Sequence, residues 1–206
     1  MKTAFIIVTD EEFSEELDLK KAAYPYNIKD QAEEYNEMVI HLVKALSEEI
    51  VLLSAAHDLN IMVTDQQVDA AEAEMKKEYP DDTFEKMLLE NAISYSFWKK
   101  RFKKNMIIDK VIDQELKQKI EISSQDIMAF YQKHADMIPE SSDQVGDENK
   151  TFKNEEHLIS SLRMQKTQDS YEEWVQKLWN EYPVEIDKGQ LKTFLIDMET
   201  SKESKK

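Results

Sequence analysis

Few groups in this chain could carry covalent chemistry, and their spacing does not assemble them. Its 206 residues include four histidines, His41, His57, His134 and His157, and no cysteine. No two histidines stand four apart, so no helix face offers the paired imidazoles of an HExxH zinc site. Without a thiol there is no cysteine nucleophile, no disulfide and no thiolate ligand. Carboxylates come in adjacent pairs, such as Glu11-Glu12, Glu15-Glu16, Glu33-Glu34 and Glu48-Glu49. Solvated helix faces look like this, and nothing selects one pair for acid–base work. The two glycines, Gly146 and Gly189, are too far apart for a phosphate-cradling loop. The residues therefore predict no catalytic group, no metal site and no cofactor.

What remains is the chemistry of contact. Lys99-Lys100-Arg101 and Lys103-Lys104 interleave with Phe97, Trp98 and Phe102. That pattern suits nucleic acid, and equally an amphipathic helix with its aromatics in a core. The net charge decides between them. It is −16, with 22 acidic against 8 basic residues over 1–94, and such a chain is repelled by phosphates. No nucleic-acid partner is expected. Ten methionines are the other resource. Met38, Met62, Met75, Met87, Met106, Met128, Met137 and Met164 lie among apolar neighbours. They fill a core, or they line a groove, where an unbranched thioether adapts to many apolar shapes.

These residues are positioned by helices. Glycine averages about 7% in ordinary proteins, and two glycines with four prolines leave little material for tight hairpins. One device recurs along the chain: Val8-Thr9-Asp10-Glu11-Glu12-Phe13, Val63-Thr64-Asp65-Gln66-Gln67-Val68 and Ile122-Ser123-Ser124-Gln125-Asp126-Ile127. Each has a Ser or Thr N-cap, a side chain three residues on that can reach back, and a flanking apolar staple pair. Ile93-Ser94 with Trp98 repeats the cap and staple without the acidic partner. Helix starts are predicted near residues 10, 65, 95 and 124. Apolar periodicity gives helices over 10–23, 30–59, 65–79, 83–91, 95–119, 124–136 and 154–181. Residues 137–153 read as a linker, Leu191–Met198 is left unassigned, and Thr200–Lys206 is a charged tail. Ala4–Val8 and Val184–Asp187 read as two short strands that pair and join the chain ends. The apolar run after Met1-Lys2 is only five residues, too short for the roughly 7–15 of a signal-peptide core.

The order of these signals resembles a known family. A short strand precedes the Thr9-Asp10-Glu11-Glu12 helix start. A long helix then leads to Ala55-Ala56-His57-Asp58-Leu59-Asn60-Ile61-Met62-Val63-Thr64-Asp65-Gln66-Gln67-Val68. Phe84-Glu85-Lys86-Met87-Leu88, Ala92-Ile93-Ser94 and a basic helix follow, then Ile122–Ile127 leading to Phe130-Tyr131. This is similar to the N-terminal domain of SurA-like and PrsA-like extracytoplasmic chaperones, relatives of the trigger factor C-terminal domain. The similarity covers about residues 4–138 and resumes over 158–187, at Leu162, Trp174, Leu178 and Val184-Glu185-Ile186. Family members usually carry a parvulin-type prolyl isomerase domain between the two blocks, and here residues 137–153 stand in its place. They also tend to have glycine where this chain has Ala92.

The resemblance implies a mainly α, multi-helix chaperone domain with a minimal two-strand β element. Residues 1–136 and 154–199 would form one domain, located in the periplasm or otherwise outside the cytoplasm. The expected function is ATP-independent binding of unfolded or partly folded polypeptides in an apolar cradle, without isomerase activity. Candidate contacts are Tyr35, Met38, Met75, Tyr79, Met87, Trp98, Phe102 and Tyr131. The alternative is a structural or adaptor protein that buries the same surface against a permanent partner or a second copy, as a homodimer.

Overall fold

Hydroxyl oxygens cap four of the helix starts. Thr9 Oγ1 accepts the Glu12 amide at 3.2 Å while the Glu12 carboxylate accepts the Thr9 amide at 3.1 Å. Thr64 and Gln67 repeat the exchange at 3.3 and 2.9 Å, and Ser123 and Asp126 at 3.2 and 2.8 Å. Ser94 Oγ takes the Phe97 amide at 3.2 Å. Each exchange satisfies amides that a first helical turn leaves unpaired. The computed structural model describes residues 1–80, 82–133 and 148–197, with side chains for all but 131 and 148–157. Its α-helices are α1 (Asp10–Lys21), α2 (Ala32–Asp58), α3 (Asp65–Lys76), α4 (Thr83–Glu90), α5 (Tyr95–Glu115), α6 (Ser124–Lys133), α7 (Glu148–Glu181) and α8 (Lys188–Phe194). The protein is mainly helical, and no helix among the described residues is long and apolar enough to cross a membrane.

Two helix ends show how a chain short of glycine turns. After α2, Asn60 adopts φ 55°, and after α4, Ala92 adopts φ 53°. In each case two amides bond back into the last turn: Asn60 to His57 and Ile61 to Ala56, then Ala92 to Leu89 and Ile93 to Leu88, at 2.8–3.2 Å. This is the Schellman closure, which glycine normally serves.

The chain divides into two compact units, Met1–Val111 with Lys177–Lys206, and Ile112–Gln176. The first, unit 1, is organised around α2. Residues 50–56 are buried without interruption, so this stretch of helix is covered all round. The amphipathic α1 lays Phe13 and Leu17 into the same core as Tyr35, Met38, Val39 and Leu46. A buried hydroxyl pair, Thr3 Oγ1 and Ser54 Oγ at 2.6 Å, is satisfied because Ser54 also donates to the Ile50 carbonyl. Tyr182 donates to Asp58 Oδ2 at 3.0 Å, and burial and that bond push its phenol up to about 12. Unit 2, Ile112–Gln176, buries only Leu116, Leu162 and Val175 among the apolar side chains of its described residues.

Two sequence expectations are corrected, and one unassigned stretch gains a helix. The two-strand element is not formed. Lys2, not Ala4–Val8, meets the C-terminal segment, exchanging both backbone bonds with Glu185 at 3.0 and 2.8 Å as an isolated bridge; a second bridge joins Lys2 and Ile7. Thr3 causes this, because its hydroxyl accepts the Phe5 and Ile6 amides at 3.3 and 3.1 Å and folds residues 1–8 back on themselves. Residues 148–153, expected in the linker, belong to α7, and the rest of that linker, 137–147, lies outside the described residues. Residues 191–194 are helical, in α8, whose N-cap Asp187 accepts the Gly189 and Gln190 amides at 2.8 and 3.1 Å.

Candidate functional site

In unit 1, the turn after α3 and the helices α4 and α5 bring aromatic rings into one row. Tyr79 meets Phe84 edge-on at 5.8 Å, and Phe84 meets Trp98 at 4.8 Å. Trp98 stacks on Tyr95 at 5.8 Å and on Phe102 at 5.0 Å. The spacing on α5 explains the last pair of contacts, since positions 95, 98 and 102 fall on one helix face. Edge-on and offset-stacked rings gain beyond their buried area. Lys76 lies 4.6 Å over the Phe84 ring and 5.5 Å over Tyr95, a cation–π contact that closes one side of the row.

Ion pairs then close the basic side of α5. Lys99 pairs with Asp69 at 2.6 Å and Glu72 at 3.4 Å, Lys103 with Asp65 at 2.6 Å, and Lys104 with Glu49 at 2.8 Å. Lys100 pairs with Glu12 and Arg101 with Glu16. The cations that read as a basic patch in the sequence are thus each matched by a carboxylate of α1, α2 or α3. Glu72 is buried and accepts the Tyr95 hydroxyl at 2.7 and 2.8 Å and Lys76 at 3.1 Å. Burial pushes its carboxyl up. The bonds from Tyr95 and Lys76 and the charges of Lys76 and Lys99 outweigh this and hold it below the usual carboxylate range. Glu12 behaves alike: burial raises its carboxyl, and Lys100, the Thr9 amide and Lys104 bring it lower.

The sequence candidates separate on this geometry. Tyr35 and Met38 are in the core; Met38, at 1% exposed, is not on a groove. An α2 position that reads as one face of a stripe is enclosed because other elements cover the opposite face as well. Tyr79, Trp98 and Phe102 share the aromatic row, and Met75 and Met87 are half-buried on α3 and α4. The side chain of Tyr131 lies outside the described residues, as do those of His134 and His157. Phe84, legible as a periodic apolar position, and Tyr95, which the sequence reading missed, complete the row.

Unit 2 presents a different surface. The side chains of Lys117, Ser160, Met164, Thr167, Gln168 and Tyr171 line an open trough of about 360 Å³. Met164 is 68% exposed and Met128, on α6, is 63% exposed. The trough follows from spacing: 160, 164, 167 and 171 recur at helical intervals along one face of α7. Its helices are tied by polar contacts. Lys166 pairs with Asp126 at 2.6 Å and donates to the Glu121 carbonyl at 3.2 Å. Lys166 and the Ser123 hydroxyl and amide hold the Asp126 carboxyl well below its usual range.

Among the described residues no group of three or more His, Asp or Glu could hold a metal ion. No protein-family model and no curated protein matches the chain.

Proposed function

We propose that the protein binds unfolded or partly folded polypeptides, without ATP, on the apolar surface of unit 2, and that it does so outside the cytoplasm as a SurA-like or PrsA-like chaperone without an isomerase domain. One observation carries the reading: unit 2, which buries three apolar side chains among its described residues, keeps Met164 exposed in the lining of an open trough and Met128 exposed on α6. Thioethers on unbranched chains adapt to clients of many shapes. A client side chain desolvated there contributes roughly 1.5–3 kcal/mol before ordering costs. The order of helix starts that resembles those chaperones supports the same reading, and the net charge of −16 keeps client complexes soluble by mutual repulsion.

The test is suppression of aggregation of a chemically denatured client by the full chain, without ATP. Met128→Ser with Met164→Ser should weaken capture severalfold, whereas Met62→Ser, on a 72% exposed residue of unit 1, should not. Hydrophobic capture should persist or strengthen in sulfate. Loss of capture at high salt together with indifference to the two methionine changes would refute the reading. If no client is captured and the same two changes dissolve a homodimer in sedimentation, the adaptor alternative holds instead.

A further inference from the structure

The first eight residues leave one open backbone edge. The antiparallel pair Lys2 and Ile7 is flanked by the bonds from Thr3 N–H to the Ile6 carbonyl at 2.8 Å and from Val8 N–H to the Met1 carbonyl at 2.9 Å. In that arrangement the N–H and C=O of Ile7 itself point away from Lys2. Neither has a hydrogen-bond partner among the described residues. The Ile7 side chain is 66% exposed. It sits at the wall of an open depression of about 580 Å³ whose lining includes Phe97, Glu11, Glu12, Glu15 and Lys100. Glu12 is matched by Lys100. Glu11 and Glu15, one turn apart on α1, have no ion-pair partner among the described residues.

We infer that this edge docks an extended, basic polypeptide segment with an apolar side chain between its cations. An added strand would exchange two backbone bonds with Ile7, which is the recognition mode of a sheet edge. Side chains two apart share one face of a strand, so an apolar residue of the ligand meets Ile7 and Phe97 while cations two positions to either side face Glu11 and Glu15, which line the same depression. Charge complementarity chooses the occupant: the free carboxylates reject an acidic strand by like-charge repulsion and attract a basic one. The site shares no residue with the trough of unit 2, so it stands or falls independently of the client-binding reading.

The experiment is fluorescence anisotropy of the full chain with a short labelled peptide, Lys-Ser-Val-Ser-Lys, whose valine and lysines share one face when extended. Three comparisons are made: its glutamate counterpart, the same peptide with two adjacent central amides N-methylated, and protein variants. The lysine peptide should bind at low salt and the glutamate peptide should not. N-methylation should weaken binding about tenfold, the scale of one or two lost backbone bonds. Glu11→Gln with Glu15→Gln should weaken it severalfold and flatten its salt dependence. Ile7→Pro, which removes only the outward N–H and suits an edge, should weaken it while the helical circular dichroism stays unchanged. Met164→Ser should have no effect. Equal binding of the glutamate peptide, indifference to N-methylation, or no binding of the lysine peptide would each overturn the proposal.

Discussion

Unit 1 and unit 2 are both helical, but they spend their apolar residues differently. In unit 1 the segment 50–56 of α2 is enclosed on all sides, and even its ionic network is partly buried, with Glu16 and Glu72 inside. In unit 2 the described residues bury Leu116, Leu162 and Val175, and expose Met128, Ile159 and Met164. Unit 1 thus resembles a scaffold held by a core, and unit 2 a surface held by caps and ion pairs. Regions whose helices rest on exposed backbone and few buried contacts open at lower free energy than enclosed ones. That contrast, more than any single pocket, favours locating adaptable binding in unit 2.

The largest effect should come from emptying the enclosed helix. Ile50 is fully buried, and Ile50→Ala should cost about 2–5 kcal/mol, as large-to-small core changes do. Leu162→Ala, in the thinner core of unit 2, should cost less because the site can collapse. Urea denaturation of both variants, read by circular dichroism, checks this. Equal losses would mean that unit 2 is as firmly cored as unit 1, and would remove the basis for the contrast.

Next in size is the ionic layer under α5. Arg101 is paired with the buried carboxylate of Glu16 and is itself one-third exposed at its side chain. Glu16→Gln leaves that guanidinium partly desolvated and unmatched. About 1–3 kcal/mol is expected, below the cost of breaking a fully buried pair because solvent still reaches the arginine. Asp126→Asn in unit 2 weakens a half-buried pair with Lys166 and should cost less, because neither partner is as enclosed as Glu16. Acid extends the comparison. Glu12, Asp65, Glu72 and Glu85 in unit 1 have carboxyls below their ordinary values. A depressed folded-state value contributes stability that is present above the unfolded value, near about 4.3 for Glu, and is lost as pH falls through the folded one. Stability should therefore hold from neutrality down to about pH 5 and fall below about pH 4. Glu72→Gln should flatten that fall. Hydrogen exchange in acid should show α3 and α5 opening as Glu72 is protonated, and α6 opening as Asp126 is. A pH profile unchanged by Glu72→Gln would show that the pairs contribute nothing to folding.

How legible this was follows from the range of each interaction. The starts of α1, α3, α5 and α6 were readable because a cap is a local exchange among residues three apart, such as Thr9 with Glu12. The β element was misread because the apolar run Ala4–Val8 looks like a strand, while one hydroxyl, on Thr3, takes over two of its amides. The aromatic row needed the turn after α3 and the helices α4 and α5 in register, and only the α5 spacing is in the sequence. Tyr35 and Met38 looked like groove candidates because periodicity marks a face but not what covers it. The basic run of α5 does not show its partners in the sequence, since they lie 27–88 residues away, from Glu72 with Lys99 to Glu12 with Lys100.

The smallest effect concerns the helix ends, and it tests whether the two units fold together. Ala92 sits at φ 53° in unit 1, a left-handed conformation that costs an L-residue roughly 1–2 kcal/mol. Glycine removes that strain but adds about 0.5–1 kcal/mol of chain entropy to be lost on folding. Ala92→Gly should therefore stabilise by about 0.5–1 kcal/mol net. Its two closing bonds, Ala92 to Leu89 and Ile93 to Leu88, need not change. Ser123→Ala is its counterpart in unit 2. It removes the hydroxyl that accepts the Asp126 amide and donates to the Asp126 carboxylate, and loss of such a cap costs about 1 kcal/mol. If the units are cooperatively coupled, hydrogen exchange in α6 and in α2 will respond to both changes. If unit 2 opens on its own, Ser123→Ala will speed exchange in α6 and leave α2 untouched, while Ala92→Gly will slow exchange in α4 and α2 without slowing α6. The second pattern is expected, because the caps and ion pairs of unit 2 can be lost without exposing the enclosed stretch of α2. The first would make unit 2 an extension of the scaffold and would weaken the case for an adaptable surface there.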